Sequence, residues 1–411
     1  MSLPSDYIQR AIEPVLARSL TEFPGVVLVG PRQAGKTTLL RRALTRAFGY
    51  VAMDLPDVQA AAQADPRGFL DLNPAPVVFD EIQYCPWLLP YLRERIDSHR
   101  DEPGQYVLTG SQNLLLMDQV TESLAGRVAL LQLLPLSNRE QEGCALAPFP
   151  WESDTIHVRS PRETPDLESA WTRLVRGSFP ELVAQPARAA ELWHASYIHT
   201  YLERDVRRLR QVADLSSFQS FMRTLAARSA QLLNVSDVAR DLGLAVNTIR
   251  AWLSVLEASF QVVVLRPHHA NIGKRLIKAP KVYFTDVGTL CYLTGVSTWQ
   301  HAAHGPMAGA IFETAVFGEL YKTLLSRGTQ PRVAFWRTAA GREVDFIVDG
   351  DSGLVPIEAK AGATVRPRMA EGIHALRRDL GEDLHPGFVV HMGRQTLPLG
   401  SDTTAIPFGT L

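Results

Sequence analysis

Cysteine is scarce in this 411-residue chain, with three residues at Cys85, Cys144 and Cys291. They lie far apart and include no C-x-x-C pair, which argues against a disulfide scaffold, a zinc ribbon or a dithiol redox centre. A reducing, cytoplasmic setting fits this usage. No run approaches the roughly 20 apolar residues that span a bilayer, and the N-terminus lacks a basic segment followed by an apolar stretch. No membrane partner is therefore expected. Charge of one sign is not in excess either, with 42 Lys and Arg against 43 Asp and Glu. Any contact with DNA or RNA has to come from local patches. Hydrophobic residues make up 46% of the chain, enough for folded cores, and its length requires two or three of them.

What is present begins with the apolar run Val26-Val27-Leu28-Val29. It breaks into Gly30-Pro31-Arg32-Gln33-Ala34-Gly35-Lys36-Thr37-Thr38 and continues as a helical Leu39-Leu40-Arg41-Arg42. This is the G-x-x-x-x-G-K-T pattern of a P-loop, in the expected position between a strand and a helix. Gly30 and Gly35 let the backbone turn sharply, so that successive N–H groups and a helix N-terminus face the phosphates of ATP. Lys36 is expected to reach the β- and γ-phosphates, and Thr37 to offer its hydroxyl to Mg²⁺.

Pro76-Val77-Val78-Phe79-Asp80-Glu81 reads as a buried strand that delivers two carboxylates to its C-terminal edge. Asp80 suits the Mg²⁺ shell, and Glu81 is placed to polarise the attacking water. Alone, such a run also fits a solvated strand end; beside a P-loop it fits hydrolysis. The next strand pattern, Gln105 to Asn113, is expected between these two strands, with Ser111 or Asn113 as the sensor of the γ-phosphate. In Ser123-Leu124-Ala125-Gly126-Arg127-Val128, Arg127 is either an arginine finger for a neighbouring subunit of a homo-oligomer or an ordinary exposed arginine.

Alternating strand and helix patterns from about Ile12 to Leu136 predict a doubly wound parallel α/β sheet, within an ATPase core over 1–145. Residues 146–215 read as a Pro-rich connector followed by a helical lid, broken at Gly177-Ser178-Phe179-Pro180. Over 216–290 the pattern is a winged helix-turn-helix: a Ser-capped helix stopped at Gly243, then a helix through Asn247 to Leu253. A wing follows, with Lys274, Arg275, Lys278 and Lys281. The second helix carries Arg250 as its basic residue, so the wing lysines are the better candidates for phosphate contact. A winged helix that only packs against its neighbours also fits.

Residues 291–411 hold a second constellation. Asp345 lies on one expected strand, and Glu358 and Lys360 share a face of the next because side chains two apart point the same way. Glu313, on an upstream helix, is placed to join them. Carboxylates beside a lysine suit metal-assisted phosphodiester hydrolysis with Mg²⁺ or Mn²⁺, with Glu313, Asp345 and Glu358 as metal ligands and Glu358 and Lys360 as catalytic groups. A simple Glu358–Lys360 salt bridge is the alternative.

Together, the P-loop, Gly177-Ser178-Phe179-Pro180-Glu181, Tyr201-Leu202-Glu203-Arg204-Asp205-Val206, the stretch from Lys274 to Asp286 and Glu358-Ala359-Lys360 resemble a large prokaryotic family. Its members are AAA-type P-loop ATPases with a helix-turn-helix segment and a C-terminal domain related to PD-(D/E)xK nucleases. The resemblance covers nearly the whole chain and implies an ATPase of the AAA superfamily. It leaves open whether the C-terminal domain cleaves nucleic acid or serves as a silent binding or assembly module.

Overall fold

The computed structural model describes residues 7–44, 48–111, 123–152, 166–202, 206, 207, 212, 214–268, 278–350, 353–381 and 384–411. Its N-terminal part is a five-stranded parallel sheet. The strands are β1 (Gly25–Val29), β2 (Gly49–Ala52), β3 (Val77–Asp80), β4 (Tyr106–Gly110) and β5 (Val128–Gln132), in the order β2-β3-β4-β1-β5. The apolar runs do not alternate with polar residues because helices cover both faces. Val27, Val29, Phe79 and Leu108 enter one core, while Val26, Leu28, Val78 and Val107 enter the other. β4 lies between β1 and β3, as expected of a sensor strand that ends in polar residues.

A larger core runs from Phe149 to Leu411, and a smaller one, around Trp336 and Leu376, lies within the same half of the chain. The larger core includes the helices Leu167–Arg176, Pro180–Ala184 and Ala190–Tyr201, which the sequence pattern predicts as a lid of the ATPase. Trp171, Phe179 and Trp193 bury themselves with residues of the C-terminal half, so these helices are part of that body.

Helices Leu215–Ala226, Val235–Leu242 and Val246–Ala258 lead into an antiparallel pair, β6 (Val262–Leu265) and β7 (Lys281–Phe284). The Val235–Leu242 helix is capped by Asn234 rather than by serine: its side chain accepts from the N–H groups of Ser236 and Asp237. Gly243 ends the helix at φ 65°, as expected of a left-handed stop.

The C-terminal sheet has six strands, β8 (Val333–Arg337), β9 (Glu343–Gly350), β10 (Gly353–Lys360), β11 (Gly387–His391), β12 (Leu397–Pro398) and β13 (Thr403–Pro407). Their order is β12-β13-β11-β10-β9-β8. The 18-residue helix Ala308–Leu325 packs on one face, and Glu371–Leu380 on the other. The longer helix buries residues all around its circumference, including Phe312, Val316, Phe317 and Leu320. A helix buried on every side belongs inside a body, and this one packs on the C-terminal sheet while Tyr321 and Leu325 near its end join the N-terminal core. Among the described residues no helix is long and apolar enough to cross a membrane.

Candidate active site

Because the strands are parallel, β1 and β3 bring their C-terminal ends to the same edge of the sheet. Residues 30–35 form the loop after β1, and Lys36, Thr37 and Thr38 open the helix Lys36–Ala43. Gly35 caps that helix at φ 91°, a conformation that a side chain disfavours. At Gly30 the constraint is space, since a Cβ there would collide with the Leu133 carbonyl oxygen. Lys36 is buried, and its ammonium lies across the loop, donating to the carbonyls of Gly30 (2.9 Å) and Pro31 (3.0 Å).

Asp80 is the hub. One carboxylate oxygen accepts from the Thr37 hydroxyl at 2.9 Å and from the Tyr50 phenol, and the other accepts from the Thr109 hydroxyl. Burial, then the bond to Asp80, pushes the Tyr50 phenol up from its ordinary value, so it stays a donor. Glu81 follows with φ 57°, an unusual backbone for a residue with a side chain, held by its N–H donating to Thr109 Oγ1 (3.1 Å). Its carboxylate accepts from the Ser111 hydroxyl at 3.2 Å and from the Gln83 side-chain amide. The other amide atom, Gln83 Oε1, is buried without a hydrogen-bond partner. Ser111 thus bears on Glu81; Asn113 lies outside the described residues.

Oxygen donors from Thr37 and Asp80, 2.9 Å apart at the mouth of a glycine cradle, fit Mg²⁺ and a triphosphate. Sequence reasoning missed Tyr50, Gln83, Thr109 and Arg10. The Arg10 guanidinium donates to the carbonyl of Ala34 inside the loop at 2.8 Å. Arg10 sits in no motif, and only the folded chain brings it there.

Arg127 is not brought to this site. It precedes β5, whose first residue, Val128, pairs with Gly25, so within its own chain it lies at the edge opposite the P-loop. Its guanidinium forks onto Asp97 at 2.7 and 2.9 Å. A finger role towards a neighbour would require Asp97 to release it. Arg127→Ala is therefore expected to leave ATP turnover per chain unchanged across protein concentrations; a fall in turnover would restore the finger.

The second constellation does converge, but as ion pairs. Lys360 reaches Glu358 at 2.5 Å and Asp345 at 3.4 Å, and Asp345 also accepts from the Ala359 N–H at 2.8 Å. Lys281, expected on an exposed wing, is buried instead, bridging Glu313 at 2.8 Å and Glu343 at 2.5 Å. Tyr283 donates to the same oxygen of Glu313 at 2.7 Å. Burial and the nearby Asp345 push the Glu313 carboxyl up to about 7. Burial, then Asp345, holds Glu358 well above the usual carboxylate range. Burial would also raise Asp345, but Lys360 and Lys281 overturn it and keep that carboxylate ionised.

Glu313, Asp345 and Glu358 therefore do not fit a divalent ion as they stand. Two ammonium groups occupy carboxylate oxygens that such an ion would take. Among the described residues no group of three or more His, Cys, Asp and Glu is arranged to hold a metal. Of the other wing residues, Lys278 is exposed, and Lys274 and Arg275 lie outside the described residues.

Comparison with known proteins divides the chain along similar lines. An AAA domain matches residues 22–142, a domain of unknown function (DUF8612) matches 167–300, and another (DUF4143) matches 308–411. Uncharacterised proteins of Mycobacterium tuberculosis and Mycobacterium bovis are each 30% identical to the chain over 393 residues, spanning 95% of it and 82% of their own length. Among solved structures, a Walker-type ATPase of Pyrococcus abyssi matches 70% of the chain and 96% of its own length, at 16% identity and a TM-score of 0.45.

Proposed function

This chain belongs to the same family as the two mycobacterial proteins and carries an AAA-type P-loop ATPase core; on that premise we propose that ATP hydrolysis drives a switch acting on nucleic acid through the C-terminal half. The observation that carries the ATPase part is the Asp80–Glu81 pair, fixed by Thr37, Thr109 and Ser111 at the mouth of the P-loop. Lys36 and the loop N–H groups bind the phosphates. Mg²⁺, held by Thr37 and Asp80, would neutralise charge on the phosphate oxygens. Glu81, steadied by Ser111 and Gln83, takes the proton of the attacking water.

Lys36→Ala removes a charge-assisted contact to the phosphates. ATP affinity, measured by calorimetry, is expected to fall by about ten- to a hundredfold. Unchanged affinity would reject the assignment.

The helices Val235–Leu242 and Val246–Ala258 with β6 and β7 support a winged-helix unit, whose exposed Arg250 and Lys278 are candidates for phosphate contact. For the C-terminal domain the lysine-filled cluster favours a binding or assembly module that does not cleave. The nuclease reading has its own support in Lys360, a third exposed beside Asp345 and Glu358. Labelled DNA and RNA in Mg²⁺ or Mn²⁺ are expected to bind without being cut. Cleavage lost in Glu358→Ala would establish the nuclease instead.

A further inference from the structure

We propose that Arg10 is a positioning residue for ATP hydrolysis, and the near end of a buried polar chain through which the helix Ala308–Leu325 responds to nucleotide. The proposal rests on the P-loop binding and hydrolysing ATP. Its starting point is the three acceptors that one guanidinium holds. Arg10 Nη1 donates to the Ala34 carbonyl (2.8 Å), Nη2 to the Leu134 carbonyl (2.6 Å) and Nε to Glu140 (3.0 Å), and the residue is 4% exposed. A planar fork satisfied on three sides has no freedom left to rotate.

Ala34 is followed by Gly35, and a planar trans peptide points its C=O and N–H in opposite directions. Fixing the Ala34 carbonyl therefore also fixes the direction of the Gly35 N–H, one of the groups that face the phosphates. Arg10 sets the aim of the cradle from behind, without touching the nucleotide.

The far side of the chain begins at Glu140. It is itself immobilised, accepting from the N–H groups of Ala11 at 2.7 Å and Ser137 at 2.8 Å. Its neighbours in the same short helix turn the other way. The Asn138 N–H donates to Glu319 at 2.6 Å, and the Arg139 guanidinium donates to Glu319 at 2.8 Å. Glu319 belongs to the helix Ala308–Leu325.

A second route reaches the same helix. Pro180 lies against Gly35, and Ser178, two residues earlier, accepts from the ammonium of Lys322 at 3.0 Å. Lys322 also donates to the Leu136 carbonyl at 3.1 Å and is 8% exposed. Adjacent P-loop residues thus face two separate routes to one helix, Ala34 through buried hydrogen bonds towards Glu319 and Gly35 through half-buried Pro180 towards Lys322, one turn apart. Towards its start the same helix carries Glu313, about 9 Å from Glu319 at 1.5 Å of rise per residue. One rigid element therefore ends in the lysine–carboxylate cluster on one side and in the P-loop supports on the other.

Buried polar ties are costly to leave unmade, so a shift of the loop on binding phosphate is passed along them rather than absorbed. Coupling of this kind is reciprocal: whatever engages the Glu313 cluster changes the affinity for ATP by the same factor that ATP changes its own.

The test uses the full-length chain and two variants. Arg10→Lys keeps the charge but loses the fork, and Arg10→Ala loses both. Arg10→Lys is expected to raise the KM for ATP about tenfold, and Arg10→Ala further, with kcat falling by less than KM rises. In hydrogen-exchange mass spectrometry, saturating ATP is expected to slow exchange in residues 308–325 of the wild-type protein. That protection should be lost in Arg10→Lys at its own saturating ATP. Equal protection in both proteins, or none in a wild-type protein that turns over ATP, overturns the proposal. A wild-type protein that fails to bind ATP at all would overturn the ATPase reading beneath it.

Discussion

Glu81→Gln should retain ATP and hydrolyse it about 10²–10⁴ times more slowly, the usual range for removing a positioned general base. The amide keeps the size of the carboxylate and can still engage the Ser111 hydroxyl, which in the wild type donates to Glu81 at 3.2 Å. The loop, Lys36 and Thr37 are untouched, so binding should stay within a few-fold of the wild type. A single-turnover assay beside a binding titration separates the two effects. Equal turnover in the variant would remove Glu81 from the chemistry.

The second large effect concerns stability. Glu319 and Arg139 form an ion pair in which the arginine side chain is 0% exposed and the glutamate 2%. Glu319→Ala removes the carboxylate paired with that guanidinium and leaves it buried against the Ala147 and Leu411 oxygens, at an expected cost of about 3 kcal/mol. Urea unfolding followed by tryptophan fluorescence should show the loss. Glu94→Ala is the control: it breaks a pair with Arg67 in which both side chains are more than half exposed, and the unfolding curve should barely move. Equal midpoints for Glu319→Ala and the wild type would mean that water reaches Arg139 once its partner is gone.

How legible each site was in the sequence depended on how its residues are spaced. The P-loop and Asp80–Glu81 were readable because each is a contiguous run in which strand, turn and chemistry coincide, and the order β3-β4-β1 followed from them. Asp345, Glu358 and Lys360 were readable because the pleat puts alternate residues on one face. What they meet there was not. Lys281 finds Glu313 from 32 residues away, and its sequence neighbours, basic and turn-like, suggested an exposed wing. Arg10 finds Ala34 and Glu140 from 24 and 130 residues away, with no periodicity to announce either contact. Arg127 stayed open between two readings, since small flexible neighbours suit a finger as well as they suit the turn before an edge strand. Buried charge pairing is set by tertiary packing, and local pattern carries little trace of it.

The pairing of Arg139 with Glu319 also sets a schedule for the nascent chain. The two residues are 180 positions apart. At synthesis rates of about 5–20 residues per second, the arginine is made roughly 9–36 seconds before its partner. During that interval Arg139 has no glutamate to pair with, and water solvates it. An apolar patch waiting as long would invite other chains. Until Glu319 arrives Arg139 is a lone charge kept in water, and only the finished chain can take it into the interior.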